Sequence, residues 1–272
     1  MVMGPTHAMS GAAAWLGASA IASSFFDIHQ HPAELAVGTI ICAGAALFPD
    51  IDCAGRVLTN RGGSTVARSF GRVSMVLANI VERLCIGIYM ATRTKKDGTR
   101  RNGHRTFTHT WVFAILMGFG TGALASNFGK PAVIGILFFL TGLAVRGLMA
   151  NTARDKGWII TTGASLVCAF GMFHVLPPDR SYALLGIAMA MGCFIHTLGD
   201  MITKMGCPVL FPIPIAGKVW YDVGLPDFMA LRAGGVAEKK YLMPALTILT
   251  LIGMFWNVPE VQTMVTGLIR QA

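Results

Sequence analysis

Four histidines and three aspartates fall in four short motifs: Thr6-His7, Pro49-Asp50-Ile51-Asp52, His104-Arg105-Thr106-Phe107-Thr108-His109 and His196-Thr197-Leu198-Gly199-Asp200. The 272-residue chain holds only seven histidines and nine aspartates, so this concentration is large. Imidazole nitrogen with carboxylate oxygen is the ligand set of catalytic zinc and related divalent ions. His196 and Asp200, four residues apart, stack on one face of a helix and can reach one ion. Asp50 and Asp52 repel each other unless a cation or basic groups compensate. His104 and His109 are five apart and cannot share a regular helix face. A bent turn leading into a helix capped by Thr108 would let them converge. Thr6, after Pro5, is the matching cap expected beside His7.

Seven candidate metal ligands result: His7, Asp50, Asp52, His104, His109, His196 and Asp200. They exceed the three protein ligands of a mononuclear catalytic site. Two or more divalent ions are therefore expected, with zinc foremost. Such a pair brings the pKa of bound water toward ~7 and stabilises the attacking and leaving oxygens of phosphoester hydrolysis. Asp50, Asp52, Arg105 and Asp200 form the expected catalytic set. Asp50 or Asp52 would bridge ions or take the water's proton, and the Arg105 guanidinium would clamp phosphate oxygens.

The elements that must position these residues are membrane helices. The chain is 54% hydrophobic and 13% charged, with a mean hydropathy of +0.60, against about 25% charged in soluble domains. Spans are read at 8–25, 36–48, 111–127, 131–150, 158–176, 182–199 and 241–258, against the ~20 apolar residues a crossing needs. Several are near the lower limit, and 36–48 is short and needs its flanks or protein neighbours to complete it. The first Lys or Arg is Arg56, so the first segment has no basic region ahead of it and is expected to be retained, not cleaved as a signal. Segment 73–92 carries Glu82 and Arg83 in its middle, where charge is costly in a bilayer. It is read as an interfacial or re-entrant amphipathic helix.

If 73–92 does not cross, 17 of the 22 Lys and Arg residues lie on one side. These include Arg56, Arg61, Arg68 and Arg72, then Arg93 to Arg105, Arg154 and Lys156, and Lys204 to Lys240. That side is then cytoplasmic. The same topology places all four motifs on that face. If 73–92 crossed, the later motifs would land opposite the earlier ones. The net charge of +9 is read as attraction to anionic lipid headgroups, with no specific nucleic-acid partner expected.

The expected fold class is all-α, a polytopic helical bundle forming one domain over 1–272. Segment 204–240, rich in Pro and Gly, should be an irregular cytoplasmic piece roofing the site, with a short hairpin near 216–223. Residues 241–272 form the last membrane helix and tail. Cys42, Cys85, Cys168 and Cys193 read as packing residues, while Cys53 and Cys207 stand beside motifs as soft-ligand candidates. His29 and His31 read as solvated and His174 as structural. Gly118 and Gly122 read as a close helix contact.

The ordered set of motifs, continued by Thr203 and Gly206-Cys207-Pro208-Val209-Leu210-Phe211-Pro212, resembles the YdjM-like family. Its members are bacterial inner-membrane proteins described as LexA-binding, membrane-bound, metal-dependent hydrolases. The resemblance covers about residues 4 to 240, and the opening Gly4-Pro5-Thr6-His7 resembles actinobacterial members. The family is grouped with zinc-dependent phospholipase C and P1 nuclease, all-α enzymes with His/Asp-bound zinc clusters that act on phosphate esters. The resemblance implies metal ligation by the seven residues above. A metal-dependent hydrolase acting on an anionic phosphoester beside membrane lipids is thus the expected function. An ion-coupled transporter and a membrane protein with a structural metal site are the competing readings.

Overall fold

The computed structural model describes residues 2–54, 64–149, 157–176 and 178–271. Arg56, Arg61, Arg154 and Lys156 of the charge argument lie outside the described residues. The chain is a helical bundle of α1 (Gly4–Phe26), α2 (Pro32–Ala45), α3 (Gly71–Thr92), α4 (Trp111–Phe128), α5 (Lys130–Leu148), α6 (Gly157–Val175), α7 (Pro178–Met201), α8 (Met243–Asn257) and α9 (Pro259–Gln271). Among the described residues, seven helices are long and apolar enough to cross a membrane, or eight if the bent pair Glu238–Asn257 and Pro259–Gly267 is one span. Six of the seven spans read from the sequence fall on six of these helices, and 241–258 falls on the bent pair; the seventh candidate is Gly71–Thr92, the segment read as not crossing. Phe25, Phe119, Phe128, Val167, Phe170 and Leu249 are exposed on the outside, as lipid-facing positions should be.

α2 is the central helix, and its small and apolar residues bury Val37, Ile41, Cys42, Ala43 and Ala45. Pro32 opens it, the His31 ring accepts from the Ala33 amide at 3.2 Å, and Glu34 returns to the His31 amide at 2.9 Å. This reciprocal cap uses the histidine that reads as solvated, and the ring is indeed exposed. Neighbouring backbones come very close to α2. At Gly192 of α7, an added Cβ would stand 2.5 Å from the Ala45 Cβ and 2.6 Å from the Cys42 carbonyl. The Gly118 contact is of the same kind, against Ala190 and Gly186 of α7.

The up-and-down course brings the start of α1, the end of α2, the start of α4, the end of α5 and the end of α7 to one end of the bundle. α3 spans roughly 33 Å at 1.5 Å per residue, and length and composition alone would let it cross. Its end contacts support a lateral course. At its start, Gly71 abuts Trp158 at the start of α6, and Phe70 packs on Phe139 at 5.7 Å. Phe139 in turn meets Phe48, beside Asp50, at 5.9 Å. At its end, the Trp220 indole donates to the Thr92 hydroxyl at 3.1 Å. Trp220 stacks on Phe211 at 4.1 Å, and Phe211 meets Phe107 of the third motif at 6.2 Å. Both ends of α3 are tied to the motif end of the bundle. Ser74, Ala78, Cys85 and Tyr89 face inward, while Val73, Val76, Leu77, Ile80 and Leu84 are exposed. This amphipathic pattern fits the lateral placement expected from Glu82 and Arg83.

Residues 204–235 are irregular, whereas 236–240, expected to belong to the same irregular piece, are helical and lead into α8. The hairpin near 216–223 is reduced to isolated bridges, Ile215 with Lys218 and Cys207 with Val223. Ala216 and Gly217 have positive φ (52° and 82°) and make a tight turn. Beyond it the chain is claimed by Asp97, which takes the Val219 and Trp220 amides at 3.3 and 3.0 Å, so no ladder grows.

Candidate metal centre

The first turn of α1 supplies His7. A 3-10 turn after α2, Phe48–Asp52, supplies Asp50 and Asp52. A second 3-10 turn, Phe107–His109, carries His109, and the last turns of α7 carry His196 and Asp200. All seven predicted ligands and Arg105 converge there, and each is at most 8% exposed. Two expected caps act differently. Thr110, not Thr108, caps α4 by accepting the Phe113 amide at 3.1 Å. Thr108 instead donates to Asp52 Oδ2 at 2.5 Å. Thr6 lies inside α1, whose N-cap is Met3, and its hydroxyl donates to Glu238 at 2.6 Å.

Asp52 organises the third motif. It accepts from His104 Nδ1 at 2.7 Å, Thr108 Oγ1 at 2.5 Å and the Arg105 amide at 3.2 Å. Its Oδ2 also stands 3.5 Å from His109 Nδ1. Because the Thr108 proton goes to Asp52, the Thr108 oxygen accepts from His109 Nδ1 at 3.0 Å. His196 Nδ1 donates to the Ala46 carbonyl at 2.8 Å. Both rings therefore spend their Nδ1 protons on the protein. Their Nε2 atoms face each other at 3.2 Å, with Asp50 Oδ1 3.6 Å from His109 Nε2 and Asp200 Oδ2 3.5 Å from it. Holding the distal nitrogen so that the other ring nitrogen points inward is how proteins orient metal-binding histidines.

Burial pushes the His109 imidazole down, but the Asp52 and Asp50 carboxylates outweigh it and pull its pKa up to about 9. The carboxylates thus demand positive charge at this point. Metal uptake at such a point releases protons.

Three sets of ligand atoms lie within 4.8 Å of one another: Asp50, His109 and His196; His7, His196 and Asp200; and Asp50, Asp52, Cys53 and His104. Asp50 and His196 each belong to two sets, so the sets adjoin. His7 stacks on His196 with ring centroids 3.9 Å apart. Its Nε2 is 3.6 Å from Asp200 Oδ1, yet neither of its ring nitrogens has a hydrogen-bond partner among the described residues. A fully buried imidazole with no hydrogen bond is costly. That orphan, with the apposed Nε2 pair and three buried carboxylates, fits divalent ions of the zinc type. Cys53 joins the donor set, with Sγ 3.2 Å from His104 Nδ1, whereas Cys207 donates to the Thr197 carbonyl at 3.4 Å and stands in no set.

Arg105 has a φ of 57°, a left-handed conformation that non-glycine residues adopt at a cost of about 1 kcal/mol. The turn aims its amide at Asp52 and offers its carbonyl to Arg100 at 2.6 Å. The Arg105 guanidinium reaches Asp200 Oδ2 at 3.0 Å, the Gly206 carbonyl at 2.8 Å and Thr203 Oγ1 at 3.4 Å. Arg100 continues outward to Asp222 at 2.7 Å. Gly206 and Asp222 of the irregular segment are thus fastened through two arginines to the third and fourth motifs. Sequence reading missed Glu238, which is 1% exposed and takes the Met3 amide at 2.5 Å, the Thr6 hydroxyl at 2.6 Å and the Gly234 amide at 2.6 Å. It pins the turn carrying His7 to the start of the C-terminal helix.

A family model described as YdjM inner membrane protein matches residues 1–258. No curated protein and no solved structure matches the chain. The chain belongs to the YdjM inner membrane protein family.

Proposed function

We propose that this member of the YdjM inner membrane protein family is a metal-dependent hydrolase that cleaves a phosphoester at the cytoplasmic membrane face. The observation that carries the reading is the adjacency of three His/Asp/Cys sets sharing Asp50 and His196, which suits more than one ion. The cytoplasmic side follows from the excess of Lys and Arg in the segments at this end. The same basic surface would concentrate anionic phosphate substrates.

His7, His109, His196, Asp50 and Asp200 would hold the ions, with His104 and Cys53 beside them. When bound, such ions supply Lewis acidity and lower the pKa of water. In the net reaction a water oxygen joins phosphorus, one ester P–O bond breaks, and a proton passes to the departing oxygen. Asp52 has both oxygens engaged by His104, Thr108 and the Arg105 amide, so its role is positioning. Asp50, the more open carboxylate of the pair at 6% exposed, is the one to accept a proton. Arg105 holds Asp200 and keeps further N–H donors for a phosphate oxygen.

The test is phosphodiesterase activity of the zinc-loaded chain against bis(p-nitrophenyl) phosphate, before and after His109→Ala and Asp200→Asn. Loss of at least a hundredfold in both variants is expected. Unchanged rates in both would overturn the assignment.

The burial of every ligand favours a second reading, a closed structural metal site. Cobalt substitution separates the two. An open site changes its visible spectrum when phosphate is added, and a closed one does not.

A further inference from the structure

A groove of about 590 Å³ runs between α1, α7 and α8. Val2, Thr6, Gly199 and Leu242 form its inner end, and Ala20, Ile252 and Trp256 its outer end. Thr6 and Ala20 are fourteen residues apart on α1, roughly 21 Å of helix rise, somewhat more than the ~15 Å of one leaflet's hydrocarbon. Leu198, Leu249, Ile252 and Trp256 are exposed along its rim, so it opens toward lipid. Its walls offer a ligand almost no polarity. The Thr6 hydroxyl is committed to Glu238 at 2.6 Å, and the Ser10 hydroxyl to the His7 carbonyl at 2.8 Å.

The inner end abuts the metal centre. A Cβ at Gly199 would stand 3.2 Å from His7 Cε1 and 3.3 Å from His7 Nδ1. His7 is fully buried, and its Nδ1 has no hydrogen-bond partner among the described residues. The groove therefore ends at Gly199 beside the His7 ring, whose other nitrogen, Nε2, faces Asp200 at 3.6 Å.

We infer that this groove holds one acyl chain of a phospholipid whose phosphodiester is presented to the metal centre. The inference rests on the hydrolase reading for what happens to the phosphate, but not for the seating of the chain. A nearly apolar channel of leaflet depth, opening on lipid and ending beside the candidate centre, suits a hydrocarbon chain with an anionic headgroup at its end. It offers nothing to a soluble polar substrate.

The experiment uses the full zinc-loaded chain in phosphatidylcholine nanodiscs, with phosphatidylglycerol carrying a diazirine at the end of one acyl chain. Gly17→Phe fills the groove, since an added Cβ there meets nothing within 4 Å. Leu249→Trp, at the lipid-exposed rim, does so from the opposite wall. Expected are cross-links at Ala20, Leu249 or Trp256, competed by unlabelled phosphatidylglycerol and reduced at least tenfold by either variant. Hydrolysis of phosphatidylglycerol should fall in parallel, while that of bis(p-nitrophenyl) phosphate stays within twofold. Cross-linking that both variants leave intact would overturn the inference, as would covalent dimers through these residues, which would mark a second copy of the chain. Groove labelling that both variants abolish, with neither phosphoester hydrolysed, would sustain the lipid site and refute the hydrolase reading.

Discussion

His196 Nε2 faces His109 Nε2 at 3.2 Å, and each ring has already given its Nδ1 proton to the protein. Two imidazole nitrogens at that distance share either a proton, which the carboxylates around His109 favour, or a metal ion in its place. His196 also belongs to two ligand sets, whereas His104 belongs to one. His196→Ala should therefore lower the metal content of the purified protein more than His104→Ala does. Metal analysis by mass spectrometry after dialysis decides this, and equal losses would argue against a shared ligand.

Asp52 is argued to orient ligands. Asp52→Asn preserves its shape but cannot accept from His104 Nδ1 and Thr108 with both oxygens. Loss of such an orienting carboxylate costs about 10–100-fold in metal affinity, and that weakening is the expected result in a zinc competition titration. Wild-type affinity would remove Asp52 from this role.

Glu238 closes the N-terminal turn against the C-terminal helix. Glu238→Ala leaves the Thr6 hydroxyl and the Met3 and Gly234 amides without their acceptor. The expected cost is about 2 kcal/mol, read as a lower midpoint in thermal unfolding, with weaker zinc retention because His7 is no longer held. Unfolding and zinc retention both at the wild-type level would contradict the pinning role.

The lateral course of α3 is directly checkable. In a variant with the exposed Cys168 replaced, Arg72→Cys and Thr92→Cys should both react with a membrane-impermeant maleimide from the same side of oriented vesicles. Labelling from opposite sides would show that α3 crosses and would divide the four motifs between two faces.

Much of the site was legible because the chain is so apolar. With three of nine aspartates and four of seven histidines in four motifs, composition alone selected the residues that the fold brings together, and the i, i+4 spacing of His196 and Asp200 survived intact. Helix ends were less legible. Thr108 and Thr110 are both good caps by type, and only the tertiary pull of Asp52 on Thr108 chooses between them. Glu238 belongs to none of the four motifs, and its three partners are Met3, Thr6 and Gly234. Cys53 could not be assigned by sequence, because its neighbour His104 is 51 positions away. The hairpin near 216–223 failed for the same reason, since Asp97 competes for the amides a ladder would use.

The claim at the centre is that four separated motifs build one site for more than one ion. Zinc reconstitution of the full chain, followed by counting ions per chain and by X-ray absorption at the zinc edge, tests it most directly. Two or more ions per chain are expected, with nitrogen and oxygen ligands at about 2.0–2.2 Å and a count that drops in His196→Ala. Fewer than one tightly bound ion per chain, or a count unchanged by His196→Ala, would contradict the account.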